Sequence, residues 1–175
     1  MGLRAFHYFD LLRLYGPVYS EDPEMKCLPW RTEFNADQKS LESAGVIAQH
    51  ILEDLTQAEE LLKDDPLNYK NDLNDPFLGL RKHRMNKMAV KALMARVYLW
   101  IGDKENAALK AKEVIEQCGL ELVISNIQDA SLYDETIFCL GMDDMANKLK
   151  DDWKSINTYS NEPVSYTHLR AHETE

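Results

Sequence analysis

A mainly α-helical fold, made of helical hairpins with long loops and amounting to part of a domain, is what this sequence predicts. Three observations carry that expectation. Apolar residues recur at steps of three and four through residues 3–15, 40–63 and 86–117, the spacing of one helix face. Gly16-Pro17 and Asp64-Asp65-Pro66 stop two of those runs, as helix-breaking residues do. Small side chains (Ala92, Ala95, Ala107, Ala111) lie on either side of a Gly102-Asp103 turn, where two helices folding back on each other would cross.

In residues 3–15, Ala5, Phe9 and Leu12 form one ridge and Tyr8, Leu11 and Tyr15 another, so this helix is expected to be buried between neighbours. Only Met1 and Gly2 precede it, which leads to the expectation that the chain begins inside a longer protein. From Gly16 to about Lys39 the periodicity is lost. Pro17, Pro23 and Pro29 punctuate a stretch that holds Tyr19, Trp30 and Phe34, and it reads as a long ordered loop. The second helix reads as 40–63, with Ser40 as its N-cap and Ala44, Ile47, Ile51, Leu55, Ala58 and Leu62 as its apolar stripe. Glu42, Glu53, Asp54, Glu59 and Glu60 then form an acidic face expected to be solvated. Residues 66–83 read as a polar loop; Asp72, Asn74 and Asp75 lack the spacing and turn glycine of a calcium loop.

The clearest unit follows. Residues 86–100 read as a helix, 101–103 as a tight turn and 104–117 as an antiparallel partner, with Tyr98, Val114 and Ile115 as the large residues flanking the small ones. Ala95, Tyr98, Gly102, Ala107, Ala111 and Val114 match the tetratricopeptide helix-turn-helix pattern. An earlier copy, about 34 residues back, would fall at Leu61 and Asp64, and the pattern is not there. Residues 120–124 read as a short extended segment and 133–140 as a strand or buried turn. The chain beyond Gly141 is polar, with Trp153 and Tyr159 as isolated aromatics.

The chain has 175 residues, 45% of them apolar, enough for one domain's core. Its 30 acidic and 20 basic side chains leave a formal net charge of −10. Such a chain repels phosphate backbones, so no nucleic acid is expected as a partner. No apolar run approaches the ~18–20 residues of a membrane span. Met1 opens directly into Gly2-Leu3-Arg4-Ala5-Phe6 with no basic-then-apolar export signal, which taken literally means a cytosolic protein. Cys27, Cys118 and Cys139 are scattered and form no CxxC, so neither a disulfide framework nor a zinc site is indicated.

Four blocks of the sequence resemble, in order, the SusD/RagB family. They are Leu3-Arg4-Ala5-Phe6-His7-Tyr8-Phe9-Asp10-Leu11-Leu12-Arg13-Leu14-Tyr15-Gly16-Pro17-Val18, then Ile51 to Leu62, then Asn86 to Trp100, and finally Asp134-Glu135-Thr136-Ile137-Phe138. The resemblance covers about Leu3 to Asp144. It implies an outward-facing lipoprotein of the bacterial outer membrane that binds oligosaccharides or other nutrients, passes them to a TonB-dependent transporter, and catalyses nothing. It also implies that this chain is an internal fragment, residues 1–150 being part of the helical domain and residues 151–175 a polar tail. The signal peptide and lipid anchor would then be absent from this chain, and membrane attachment would come only through that anchor. Residues 163–175 do not resemble the family and read as non-native sequence of the kind translated from adapter DNA.

No catalytic or cofactor motif is present in the sequence. His168 and His172 lie at i and i+4, but Leu169, not Glu, follows the first, and no third ligand is near, so no metal is expected. His7, His50 and His83 lie on separate segments with no Ser or Cys in a nucleophile motif beside them. The seven glycines form no phosphate-binding loop, and carboxylates on helix faces do not specify glycoside hydrolysis. A bound sugar needs exposed aromatic surface rimmed by hydrogen-bonding groups. Trp30 beside Arg31, and Tyr69 between Asn68 and Lys70, are the ligand-binding candidates; Trp153 is a further loop aromatic. For Trp30 the competing reading is that Pro29-Trp30 pins the loop onto the first helix. The alternative function is a tetratricopeptide-type adaptor that binds peptides.

Overall fold

A computed structural model of the protein describes residues 1–66, 81–120 and 135–140. The order is α1 (Gly2–Tyr15), β1 (Lys26–Leu28), β2 (Glu42–Ser43), α2 (Ala44–Leu61), a single 3₁₀ turn at Arg81–His83, α3 (Lys87–Ile101) and α4 (Lys104–Gln117). All of these lie in one compact unit, Met1–Cys139; of the second, Leu140–Glu175, only Leu140 is described. The chain is mainly helical, as its periodicity predicts.

α1 ends where expected. The Gly16 N–H bonds the Leu12 carbonyl at 2.8 Å, and a Cβ at Gly16 would lie 2.5 Å from that oxygen. Ala5, Phe9 and Leu12 are buried, but Leu14 and Tyr15 are 73% and 67% exposed. The described elements thus cover one flank of α1, not the several that its apolar ridges suggested.

The loop after α1 is not without secondary structure. β1 pairs antiparallel with β2, Lys26 opposite Ser43 and Leu28 opposite Glu42. This pairing corrects the start of the second helix from Ser40 to Ala44. The first amides of a helix have no partner within it. Here Ala44 N–H donates to Met25 O (3.0 Å), Gly45 N–H to Pro23 O (2.8 Å) and Val46 N–H to the Ser43 hydroxyl (3.4 Å). The cap is therefore Ser43, which takes the Val46 amide, and the two otherwise orphaned donors of Ala44 and Gly45 sew the loop onto α2.

α2 is the central helix. Ile47, Ile51 and Leu55 are fully buried and Ala44 and Ala58 continue the expected stripe, packed against Ala5, Phe9 and Leu12 of α1 and Val90, Leu93 and Val97 of α3. α2 ends at Leu61, short of the expected Lys63, and Leu62 is its C-cap, only partly buried. The acidic face is a correction. Asp54 is only 4% exposed and takes two hydrogen bonds from Arg4 of α1, at 2.6 and 2.7 Å. That bidentate pairing raises the Arg4 pKa, chiefly through the hydrogen bond to Asp54, against an opposing effect of burial. Glu59 bonds Lys110 of α4 at 2.8 Å. These carboxylates bind helices together, which periodicity alone cannot reveal.

α3 and α4 form the hairpin that the sequence predicts. Asn86 caps α3 by accepting from Ala89 N–H at 2.9 Å, and Asp103 caps α4 by accepting from Asn106 N–H at 3.1 Å. Gly102 closes the turn at φ 91°, left-handed backbone that favours glycine. Ala107 and Val114 are buried, whereas Ile115 is 77% exposed and points away from the crossing it was expected to flank. Replacing Ala107 with Phe should cost about 1–3 kcal/mol by overpacking this crossing. An unchanged melting temperature would contradict it.

A charged cluster ties the hairpin to α2. Lys91 of α3 lies 2.6 Å from Glu113 of α4, and Lys110 lies 3.7 Å from the same carboxylate. Glu113 is held below its ordinary pKa of 4.5, first by the hydrogen bond from Lys91, against burial and with help from Lys110. A carboxyl held low contributes stability that is present at neutral pH and lost as the pH falls through the carboxylate range. Urea midpoints should therefore drop between about pH 6 and pH 3, and Glu113→Gln should flatten part of that drop. Identical slopes in the two proteins would remove Glu113 from the account.

Residues 135–139 are not a strand. Cys139 N–H bonds Lys82 O at 2.9 Å, Asn86 Nδ2 bonds Ile137 O at 3.0 Å, and the Phe138 ring meets Phe6 edge-on at 5.6 Å. The segment packs across α1 and the start of α3. The expectations for 120–124 (beyond Leu120), for 67–80 and for the tail lie outside the described residues.

Candidate functional site

Trp30 is half-buried against protein. The Tyr8 hydroxyl donates to Pro29 O at 3.0 Å and accepts from Arg31 N–H at 2.8 Å, so the loop is fastened to α1 on both sides of the indole. Its ring lies 4.3 Å from that of Tyr8 and stacks on His50 at 4.9 Å with 17° between planes. The Arg4 guanidinium sits 5.2 Å from the Trp30 ring centroid. Trp30 thus pins the loop, the competing reading made from Pro29-Trp30. His50 in turn lies 3.2 Å from Glu42 and 3.4 Å from Glu53. Tyr69 and Trp153 lie outside the described residues.

A recess lies beside this cluster. It is an open groove of about 600 Å³, within the ~300–1,000 Å³ usual for small-ligand sites. Gln49, Glu53, Thr56 and Gln57 of α2 supply its polar wall. They recur at i, i+4, i+7 and i+8, which puts them on one helix face. Tyr19 of the loop and Ile101 at the end of α3 close the other sides, with Leu52 between. Gln49 Nε2 donates to Glu53 Oε1 at 2.9 Å and the Thr56 hydroxyl to Leu52 O at 2.8 Å. Tyr19 is held from behind, its ring 5.0 Å from that of Trp100, which meets Phe9 edge-on at 6.0 Å.

The sequence reading passed over Tyr19 as a ligand candidate and counted Glu53 as solvated face. The available signal was the helical spacing of Gln49, Glu53 and Gln57, which puts two amides and a carboxylate on one side. It also found no Ser or Cys in a nucleophile motif beside His83. The fold brings His83 Nδ1 to 3.4 Å from Cys139 Sγ, across 56 positions of chain. Among the described residues, no three His, Cys, Asp or Glu side chains are grouped to hold a metal ion.

No family model matches the chain, and no curated protein does. Solved structures do. A SusD superfamily protein from Bacteroides thetaiotaomicron VPI-5482 superposes with a TM-score of 0.55 at 23% identity, over 70% of this chain and 24% of that one. A SusD-like carbohydrate-binding protein from Bacteroides vulgatus ATCC 8482 superposes with a TM-score of 0.57 at 24% identity, again over 70% of this chain and 24% of that one. The chain thus spans about a quarter of the length of either. The helices, which the sequence led us to compare with the SusD/RagB family, carry a SusD-like fold.

Proposed function

We propose that the chain is part of a non-catalytic, cell-surface carbohydrate-binding protein that works with a TonB-dependent transporter at the outer membrane, facing outward. The observation that supports this most directly is the shared fold with the SusD-like carbohydrate-binding protein of Bacteroides vulgatus. The four sequence blocks that resemble the SusD/RagB family, in that family's order, support it independently. Oligosaccharide or another nutrient is the ligand, and Trp30 and Tyr69 are its proposed aromatic contacts. The packing of Trp30 against Tyr8 and His50 restricts its part to whatever ring surface remains open.

Calorimetric titration of the chain against an oligosaccharide panel tests this reading. One or two ring contacts and a few solvent-competed hydroxyl bonds supply about −4 kcal/mol, a millimolar dissociation constant. Trp30→Ala and Tyr69→Ala should each weaken it. Reducing sugar released in proportion to protein concentration would overturn the non-catalytic reading. Binding unaffected by either substitution would make both rings structural.

A further inference from the structure

We propose that the groove on the outward face of α2 is a subsite for a neutral oligosaccharide, and that it discriminates against acidic ones. This rests on the carbohydrate-binding reading and goes beyond it by placing a ligand and stating its charge.

The chemistry of the walls carries the assignment. Each sugar hydroxyl both donates and accepts, and a side-chain amide does the same through its NH₂ and C=O. Gln49 and Gln57 offer two amides on one wall. Glu53 adds acceptor oxygens, one of them already aligned by Gln49 Nε2 at 2.9 Å. Leu52 and Ile101 supply aliphatic surface for the C–H face of a sugar ring. Polar side chains of α2 along one wall and aliphatic surface beside them match a ligand with hydroxyl-bearing edges and a C–H face.

The walls are also fixed before anything binds. Tyr19 leans on Trp100 and Trp100 on Phe9, which is buried in the core. Gly45 lies in the first turn of α2, whose amides are tied to the loop by Gly45 N–H to Pro23 O at 2.8 Å. Preorganised walls reduce the ordering cost that mobile surface loops incur on binding. Gly45 itself lines the groove, and a Cβ there would stand 3.4 Å from Pro23 O and 3.9 Å from the Tyr19 hydroxyl. Those are ordinary contacts, so a longer side chain at this position projects from the wall without forcing the backbone apart.

Charge sets the selectivity. Among the described residues that line the groove, Glu53 is the one acidic side chain and none is a lysine or arginine. The chain as a whole carries −10. A uronate or sulfate placed here meets the like charge of Glu53, whose partner at 3.4 Å is the His50 ring and not a lysine or arginine, which disfavours it.

The test is NMR titration of the 175-residue chain with neutral hexasaccharides (α-1,4-glucan, β-1,4-glucan, β-1,4-mannan) and with hexagalacturonate as the acidic probe. At least one neutral chain should saturate the amides of residues 49–57. Gln57→Ala, on an exposed face, should weaken that binding about threefold to tenfold, the worth of one hydrogen bond. Gly45→Met should weaken it further by filling the groove, while Lys112→Ala on the far helix changes nothing. Hexagalacturonate should bind at least about tenfold more weakly. Wild-type affinity in both Gln57→Ala and Gly45→Met would overturn the groove assignment and leave the carbohydrate reading standing. Equal affinity for hexagalacturonate would overturn the charge selectivity. Binding of no glycan at all would overturn both the subsite and the function on which it rests.

Discussion

Arg4→Ala is expected to destabilise the chain by about 3–5 kcal/mol, because it leaves a buried carboxylate without its partner. Asp54 sits inside the α1–α2 contact, 4% exposed, with both carboxylate oxygens bonded to the Arg4 guanidinium at 2.6 and 2.7 Å. Removing the guanidinium strands that charge in a poorly solvated site. The reverse substitution, Asp54→Ala, should cost less, since Arg4 retains some solvent and the Trp30 ring at 5.2 Å. Urea unfolding of the two single variants and of Arg4→Ala/Asp54→Leu checks this. The double variant should recover part of the loss, because it removes the orphaned charge as well as the pair. A loss below about 1 kcal/mol for Arg4→Ala would mean that water reaches Asp54 and the pair behaves as a surface salt bridge.

The second large effect is expected at Ile51. Its side chain is fully buried in the middle of α2, within the core shared with α1 and α3. Ile51→Ala removes three carbons and leaves a void that two packed helices cannot fill, at a cost of about 2–5 kcal/mol. Leu61→Ala on the same helix is the comparison. Leu61 is 74% exposed, and its truncation should change stability by no more than about 0.5 kcal/mol. Equal losses at the two positions would show that α2 does not lie between α1 and α3 in solution.

The candidate site was only partly legible in the sequence. Trp30 stood out as a loop aromatic beside a cation, but the sequence alone left two readings for it. Tyr8 and His50, against which its ring packs, lie 22 and 20 positions away. The groove was harder still. Its polar wall is one helix face with regular spacing, yet amides and a carboxylate on a face are also what a solvated helix carries. Among the described residues, Tyr19, Gly45, Leu52 and Ile101 turn that face into a recess, and Tyr19 and Ile101 come from other segments. Cys139 and His83 make the same point, separated along the chain and in contact across the fold.

Local rules determined the helices. The apolar spacing of Ala44, Ile47, Ile51, Leu55 and Ala58 picks the buried stripe of α2 without reference to any partner, because a helix repeats every 3.6 residues. Gly16 and Gly102 end α1 and α3 where the sequence put them, since one keeps clear of the Leu12 carbonyl and the other takes a left-handed φ. What only the tertiary structure decided were interactions between distant positions. The start of α2 moved from Ser40 to Ala44 because Met25 and Pro23 offered carbonyls to its first amides. Asp54 and Glu59 left the solvated face because Arg4 and Lys110 arrived from other helices. Periodicity reports which side of a helix is apolar. It carries no information on whether a charge on that helix will meet a counter-charge, because that depends on which helices pack together and at what height along their axes.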